Sequence, residues 1–173
     1  MRRRIRVFHT ENVPIEILYH IREGLERIYH MQTGIVSIIG LSPLSYDDRR
    51  GQYLTYPIFQ DLNKVKRSPH DLLLAVIQED LFVPEMNFVF GQANPRLNIA
   101  LVSLKRLDPL YIKEKEDMDL FKKRALKESV HEIGHLLGIG HCPNRNCAMH
   151  FSNSLADTDR KGEGLCKGCE MAL

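Results

Sequence analysis

The stretch "HEIGHLLGIGHCPNRNCAM", residues 131–149, places three histidines, a glutamate, two cysteines and a methionine within nineteen positions, and it constrains the architecture more than any other part of the chain. His131 and His135 are four residues apart, so on a helix they share one face about one turn from each other. Two imidazoles so placed can bind one zinc, and Glu132 beside them can reach a water at that metal. Gly138 and then His141 follow at intervals of three, completing H-E-x-x-H-x-x-G-x-x-H. Glycine suits a place where the chain leaves a helix sharply, with backbone angles costly for other residues. The turn can then bring His141 back as third ligand. Three neutral imidazoles leave a fourth tetrahedral position open, the arrangement of a catalytic zinc site. Zinc lowers the pKa of its water from about 15.7 to about 7 and polarises a carbonyl. Glu132 is expected to take that water's proton as general base and pass it to the leaving amine. Met149 is expected to supply a soft apolar floor beneath the histidines.

Cys142 follows His141 directly, and the four cysteines, Cys142, Cys147, Cys166 and Cys169, are spaced C-x4-C and C-x2-C. Four thiolates make a closed tetrahedral site, the structural type of zinc centre. The tail from 140 to 173 has few apolar residues, so metal is expected to replace much of a hydrophobic core there. Counting ligands divides the seven residues as three histidines plus four cysteines, an open site beside a closed one. The expectation is therefore two Zn2+ per chain, one catalytic and one structural, meeting between His141 and Cys142.

A length of 173 residues suits one domain with a real core and a small appended subdomain. No apolar run approaches the roughly 20 residues that span a bilayer. The start, "MRRRIRVFHTENVP", lacks the apolar stretch and cleavage site of a signal peptide. A cytoplasmic chain with reduced thiols and no membrane partner is expected. A net charge of +2 gives no case for nucleic acid. Arg2, Arg3, Arg4 and Arg6 read as the solvated end of a first strand.

Along the chain, "RIRVFH" alternates as a strand, and Ile17, Ile21, Leu25 and Ile28 recur at helical spacing between Val13 and His30, with Asn12 as N-cap. "GIVSIIGL" reads as a buried strand and "SYDDRRGQY" as a loop. Ser68 and Pro69 suggest that 68–81 begins a second helix. "NFVFGQA" and "LNIALVSL" suggest two strands separated by a turn from Gln92 to Pro95. "MDLFKKRALKESVHEIGHLLG" reads as a third helix ended by Gly138. Strands alternating with helices indicate α/β layering.

With its motif running on into "CKGC", and with "RRGQY", "EDLFVPEMNFVFGQA" and "FSNSL" elsewhere, the sequence resembles the archaemetzincin family of zinc peptidases over most of its length. The resemblance implies a metzincin-like α/β fold: a mixed sheet with a backing helix, an active-site helix and a small zinc-stapled C-terminal subdomain. The corresponding organisation is one peptidase domain over 1–173, divided into 1–138 and 139–173. It further implies His131, His135 and His141 as catalytic zinc ligands, Glu132 as general base, Met149 as the Met-turn, and the four cysteines as ligands of a structural zinc. An antiparallel edge strand within 87–104 is expected to pair with extended substrate above the metal. No long stretch precedes the first strand, and no prodomain is expected. The implied substrate is a peptide or unstructured polypeptide, and a monomer is expected. A different class also fits the ligands: a zinc-stabilised binding module without turnover. A third reading, a nucleic-acid zinc ribbon, has only Lys161 and Lys167 to support it. No one of Tyr46, Tyr53, Tyr56 and Tyr111 stands out to donate to a tetrahedral intermediate.

Overall fold

The computed structural model describes residues 3–173; Met1 and Arg2, the first of the arginines above, lie outside the described residues. In chain order the elements are β1 (Ile5–His9), α1 (Ile15–Tyr29), β2 (Thr33–Ile38), β3 (Tyr46–Asp47), β4 (Gln52–Leu54), α2 (Thr55–Val65), β5 (Leu72–Ile77), β6 (Leu81–Val83), β7 (Met86–Val89), β8 (Gly91–Asn94), β9 (Ile99–Ser103), α3 (Met118–Leu136), α4 (Leu155–Arg160) and α5 (Lys167–Glu170). The larger sheet has the order β2-β1-β5-β9-β8 and the smaller β3-β4-β6-β7. In the larger sheet β2, β1, β5 and β9 are parallel, and β8 runs antiparallel to β9 at the edge. The mixed α/β architecture expected from the sequence is present. Among the described residues, no helix is long and apolar enough to cross a membrane.

β5 explains the layering. All six of its residues, "LLLAVI", are buried. Leu72, Leu74 and Val76 pack with Ile17, Ile21 and Leu25 of α1 and with Leu126 and Val130 of α3. Leu73, Ala75 and Ile77 pack on the other side with Ile58, Phe59 and Leu62 of α2. A parallel strand covered on both faces has no polar side, so its sequence carries neither the helical period nor strict alternation. Ser68 and Pro69 therefore precede a central strand, and the expected helix over 68–81 is not formed. The helix on this side is α2, absent from the expectations although its Ile58, Phe59 and Leu62 recur at helical spacing.

Other local expectations are corrected by the packing. Asn12 does not cap α1; Pro14 occupies the N-cap position, with no side-chain bond. β2 is an edge strand in which only Thr33 is buried, because the sheet ends there. The segment read as a loop holds the hairpin β3–β4. "NFVFGQA" is divided between sheets, β7 pairing with β6 and β8 with β9. The turn after β8 lies at 95–98, beyond the expected Gln92 to Pro95. The arginines are not simply solvated: Arg3 donates to His70 O (3.2 Å) and Asn98 Oδ1 (2.6 Å), and Arg6 faces Asp71 at 3.5 Å.

Candidate metal centres and active site

Helix α3 forms as the sequence directs. Asp117 Oδ1 accepts from Leu120 N (2.9 Å) at its start. At its end Ile139 N donates to Gly134 O (2.9 Å) and Gly138 N to His135 O (3.1 Å), with Gly138 at φ +90°. Those two bonds are the Schellman closure, which needs a left-handed residue and explains glycine at 138. The chain then doubles back, Cys142 N donating to Met149 O (2.9 Å).

That path converges the three histidines, whose ligand atoms lie within 4.8 Å of one another. His131 Nδ1 donates to Ala148 O and His135 Nδ1 to Ile139 O, each at 2.9 Å. With both Nδ1 protons so used, both Nε2 atoms present lone pairs, and they face each other at 3.0 Å. Opposed lone pairs repel unless a cation lies between them, and a tetrahedral zinc with Zn–N about 2.05 Å would set ligand nitrogens about 3.3 Å apart. His141 completes the trio, its ring 5.3 Å from that of His131 and 4.9 Å from that of His135. The residues fit a zinc ion. Burial holds His131 down to about pKa 2, helped by Lys161 and the other two histidines and opposed by the Ala148 bond. His135 and His141 are lowered as well, chiefly by burial. The imidazoles thus stay neutral, the form that binds metal.

Met149 is fully buried. A Cβ added at Gly134 would overlap its sulfur, so glycine within the helical motif makes room for the methionine. Glu132 lines a cleft of about 490 Å3, walled by α3 (Glu128, His131 and Glu132), by Phe88 of β7, by Phe90, by Gln92 of β8, and by Phe151 to Asn153. A Cβ at Gly91 would come within 2.6 Å of Glu132 Oε1. Burial raises the Glu132 pKa well above the usual carboxylate value, Glu128 adds to the rise, and Lys161 opposes it. Within 87–104 the antiparallel edge strand is β8, whose Gly91 and Gln92 line this cleft. None of Tyr46, Tyr53, Tyr56 and Tyr111 lines it.

The four cysteines form the second cluster, their sulfurs within 4.8 Å of one another, and none is in a disulfide. Cys142 Sγ lies 3.8 Å from Cys166 Sγ, and Cys147 Sγ 3.7 Å from Cys169 Sγ. A tetrahedron with metal–sulfur bonds of about 2.3 Å has edges of about 3.8 Å, so these spacings fit zinc too. Backbone bonding from Cys169 and hydrogen bonds from the other thiols bring Cys166 down to about 7, while burial raises Cys147. Ile139, Met149, Cys147 and Cys169 form a small apolar cluster apart from the main core, so the cysteine cluster abuts Met149.

Sequence reasoning missed a buried ionic network on the same helix. Lys161 is completely buried and pairs with Glu128 at 3.0 Å; it is no exposed base of a nucleic-acid ribbon. Arg124, 1% exposed, binds Asp159 at 2.7 Å. Arg124, Glu128 and Glu132 recur every four residues as a charged stripe along the helix that also carries the histidines, and that was the available signal.

A histidine trio on one helix and its exit turn, a glutamate beside it and an antiparallel edge strand across a cleft define the class of zinc-dependent peptidases. Residues 5–173 match the model of peptidase family M54, and the chain belongs to that family. It is 43% identical to the archaemetzincin of Pyrococcus furiosus, over 100% of this chain and 93% of that protein. Identity to the Methanocaldococcus jannaschii archaemetzincin is 37%, covering 98% and 92%. Among solved structures, a zinc-dependent peptidase from Methanocorpusculum labreanum superposes with a TM-score of 0.91 at 29% identity, covering 97% of this chain and 98% of that one. The archaemetzincin of Archaeoglobus fulgidus, solved with malonate, gives 0.83 at 32%, covering 98% and 99%. The resemblance to archaemetzincins is borne out.

Proposed function

We propose that the chain hydrolyses peptide bonds in extended polypeptides, with His131, His135 and His141 holding one zinc and Glu132 as general base. The observation that carries this is the pair of Nε2 atoms facing each other at 3.0 Å, each imidazole fixed from behind by a carbonyl, with His131 and Glu132 lining one cleft. Zinc in that place would lower the pKa of water and polarise the scissile carbonyl. Glu132 takes a proton from the attacking water and returns it to the leaving amine. Its raised pKa suits a group that must hold that proton between the two steps. β8 offers its free edge to an extended substrate, which pairs as an added strand. Met149 floors the histidines. Cys142, Cys147, Cys166 and Cys169 hold a second, structural zinc, a reading supported by sulfur separations of 3.7 and 3.8 Å. The chain is read as one peptidase domain, 1–138 carrying the sheets and α3, and 139–173 the Met-turn and the cysteine site, acting as a cytoplasmic monomer. Mass-spectrometric profiling of a mixed peptide library tests the activity. Zinc-loaded protein is expected to give discrete cleavage products that disappear with chelator. No product at full zinc occupancy would overturn the reading in favour of a binding module.

A further inference from the structure

Lys161 has no exposed side-chain surface, and its ammonium meets Glu128 Oε1 at 3.0 Å, a carboxylate only 4% exposed. The same oxygen accepts from Thr158 Oγ1 at 2.8 Å. Lys161 Nζ also reaches His150 O at 3.5 Å, the carbonyl immediately after Met149. One buried cation therefore touches two walls of the cleft: the turn of α3 just before His131 and Glu132, and the segment leading into Phe151, Ser152 and Asn153.

This link is not needed simply to dock α4. Lys127 Nζ already donates to Thr158 O (3.0 Å) and Asp159 O (2.9 Å), and Arg124 grips Asp159 through two bonds of 2.7 and 2.8 Å. A buried ion pair is also a weak source of net stability, since desolvating both charges cancels most of their attraction. A stability role alone leaves unexplained why such a pair sits at the cleft wall. Resting on the peptidase reading above, we propose that Glu128 and Lys161 are positioning residues for hydrolysis: their pair pins the segment after Met149 to the catalytic turn of α3 and holds the two cleft walls in register. The pair acts through Glu132 and the histidines and does not itself react. Reacting groups tolerate little displacement, about 1 Å costing on the order of a hundredfold in rate.

The test uses the double substitution Glu128→Leu/Lys161→Met, which removes both charges at similar volume, and the isosteric Thr158→Val. Melting temperature, zinc per chain, kcat and KM are measured on a peptide that the wild type cleaves. The double variant is expected to fold with zinc retained, at a melting temperature lowered because the buried Thr158 hydroxyl loses its acceptor, with kcat lower by about tenfold or more and KM within about threefold. Thr158→Val should lower kcat by about threefold with zinc retained. Wild-type kcat in a folded double variant would overturn the proposal and leave the pair a packing feature. Should the double variant fail to fold, Thr158→Val decides: a lower kcat at full zinc supports the link, and an unchanged kcat overturns it. Wild type that cleaves no peptide at full zinc occupancy overturns the parent reading as well, and is recognised without any variant.

Discussion

Gly134 answers to a neighbour rather than to a turn. Its added Cβ would overlap Met149 Sδ and come 2.9 Å from Met149 Cε and 3.1 Å from Tyr29 Oη, whose hydroxyl is already committed to Val130 O. Gly134→Ala is therefore expected to destabilise the zinc-loaded protein by about 1–3 kcal/mol, through overpacking of the site's floor. Urea denaturation checks this, and unchanged stability would contradict the placement of Met149. The histidines predict a pH dependence with a definite sign. An imidazole in the unfolded chain takes a proton near pH 6.5, whereas the folded chain holds His131 down to about 2 and lowers His135 and His141. Their contribution to stability is complete above about pH 6.5 and is lost as pH falls below it, because only the unfolded state binds the proton there. Glu132, with a raised pKa, pulls the opposite way, so the measurement belongs in metal-free Glu132→Gln protein. Its melting temperature should fall between pH 7 and pH 5; a rise would contradict the assignment of buried, neutral imidazoles.

Helix α3 and its exit turn were legible in the sequence because their determinants are local: the glycine closure at 138 and the four-residue histidine spacing, although the Asp117 cap was not read. The cysteine cluster was legible through ligand chemistry, which needs four thiols wherever the chain wanders. β5 was not, because a strand buried on both faces loses its period, and its neighbours β1 and β9 are far off in sequence. Nor was Lys161 legible, since a lysine is read as exposed until Glu128 is seen facing it from another element. The element-level consequence lies between His141 and Cys142. Cys142 N bonds to Met149 O, and Cys147, Cys169 and Met149 share one apolar cluster, so the cysteine site braces the turn that delivers His141. Cys169→Ser is expected to weaken zinc binding at the histidines by about tenfold or more as well as to destabilise the fold. Competition with a graded series of chelators measures it, and an unchanged affinity of the histidine site would contradict the bracing.

At the scale of the whole molecule, two packed layers on a central sheet support α3, while the C-terminal segment has only a small apolar cluster of its own. Metal is expected to supply the missing stability there, so stripping both sites should lower the melting temperature and leave the sheet-bearing part as the more resistant unit in hydrogen exchange. Uniform loss of protection across the chain would contradict that division. The catalytic claim, however, rests on one carboxylate in a cleft bounded by α3, β8 and the segment after Met149. Its most direct test is kcat for wild type and Glu132→Gln on one cleaved peptide, at matched zinc content and the same pH. If Glu132 acts as the proposed general base, its loss lowers kcat by about 10²–10⁴-fold with zinc binding intact; a Glu132→Gln protein that turns over at the wild-type rate would contradict the account.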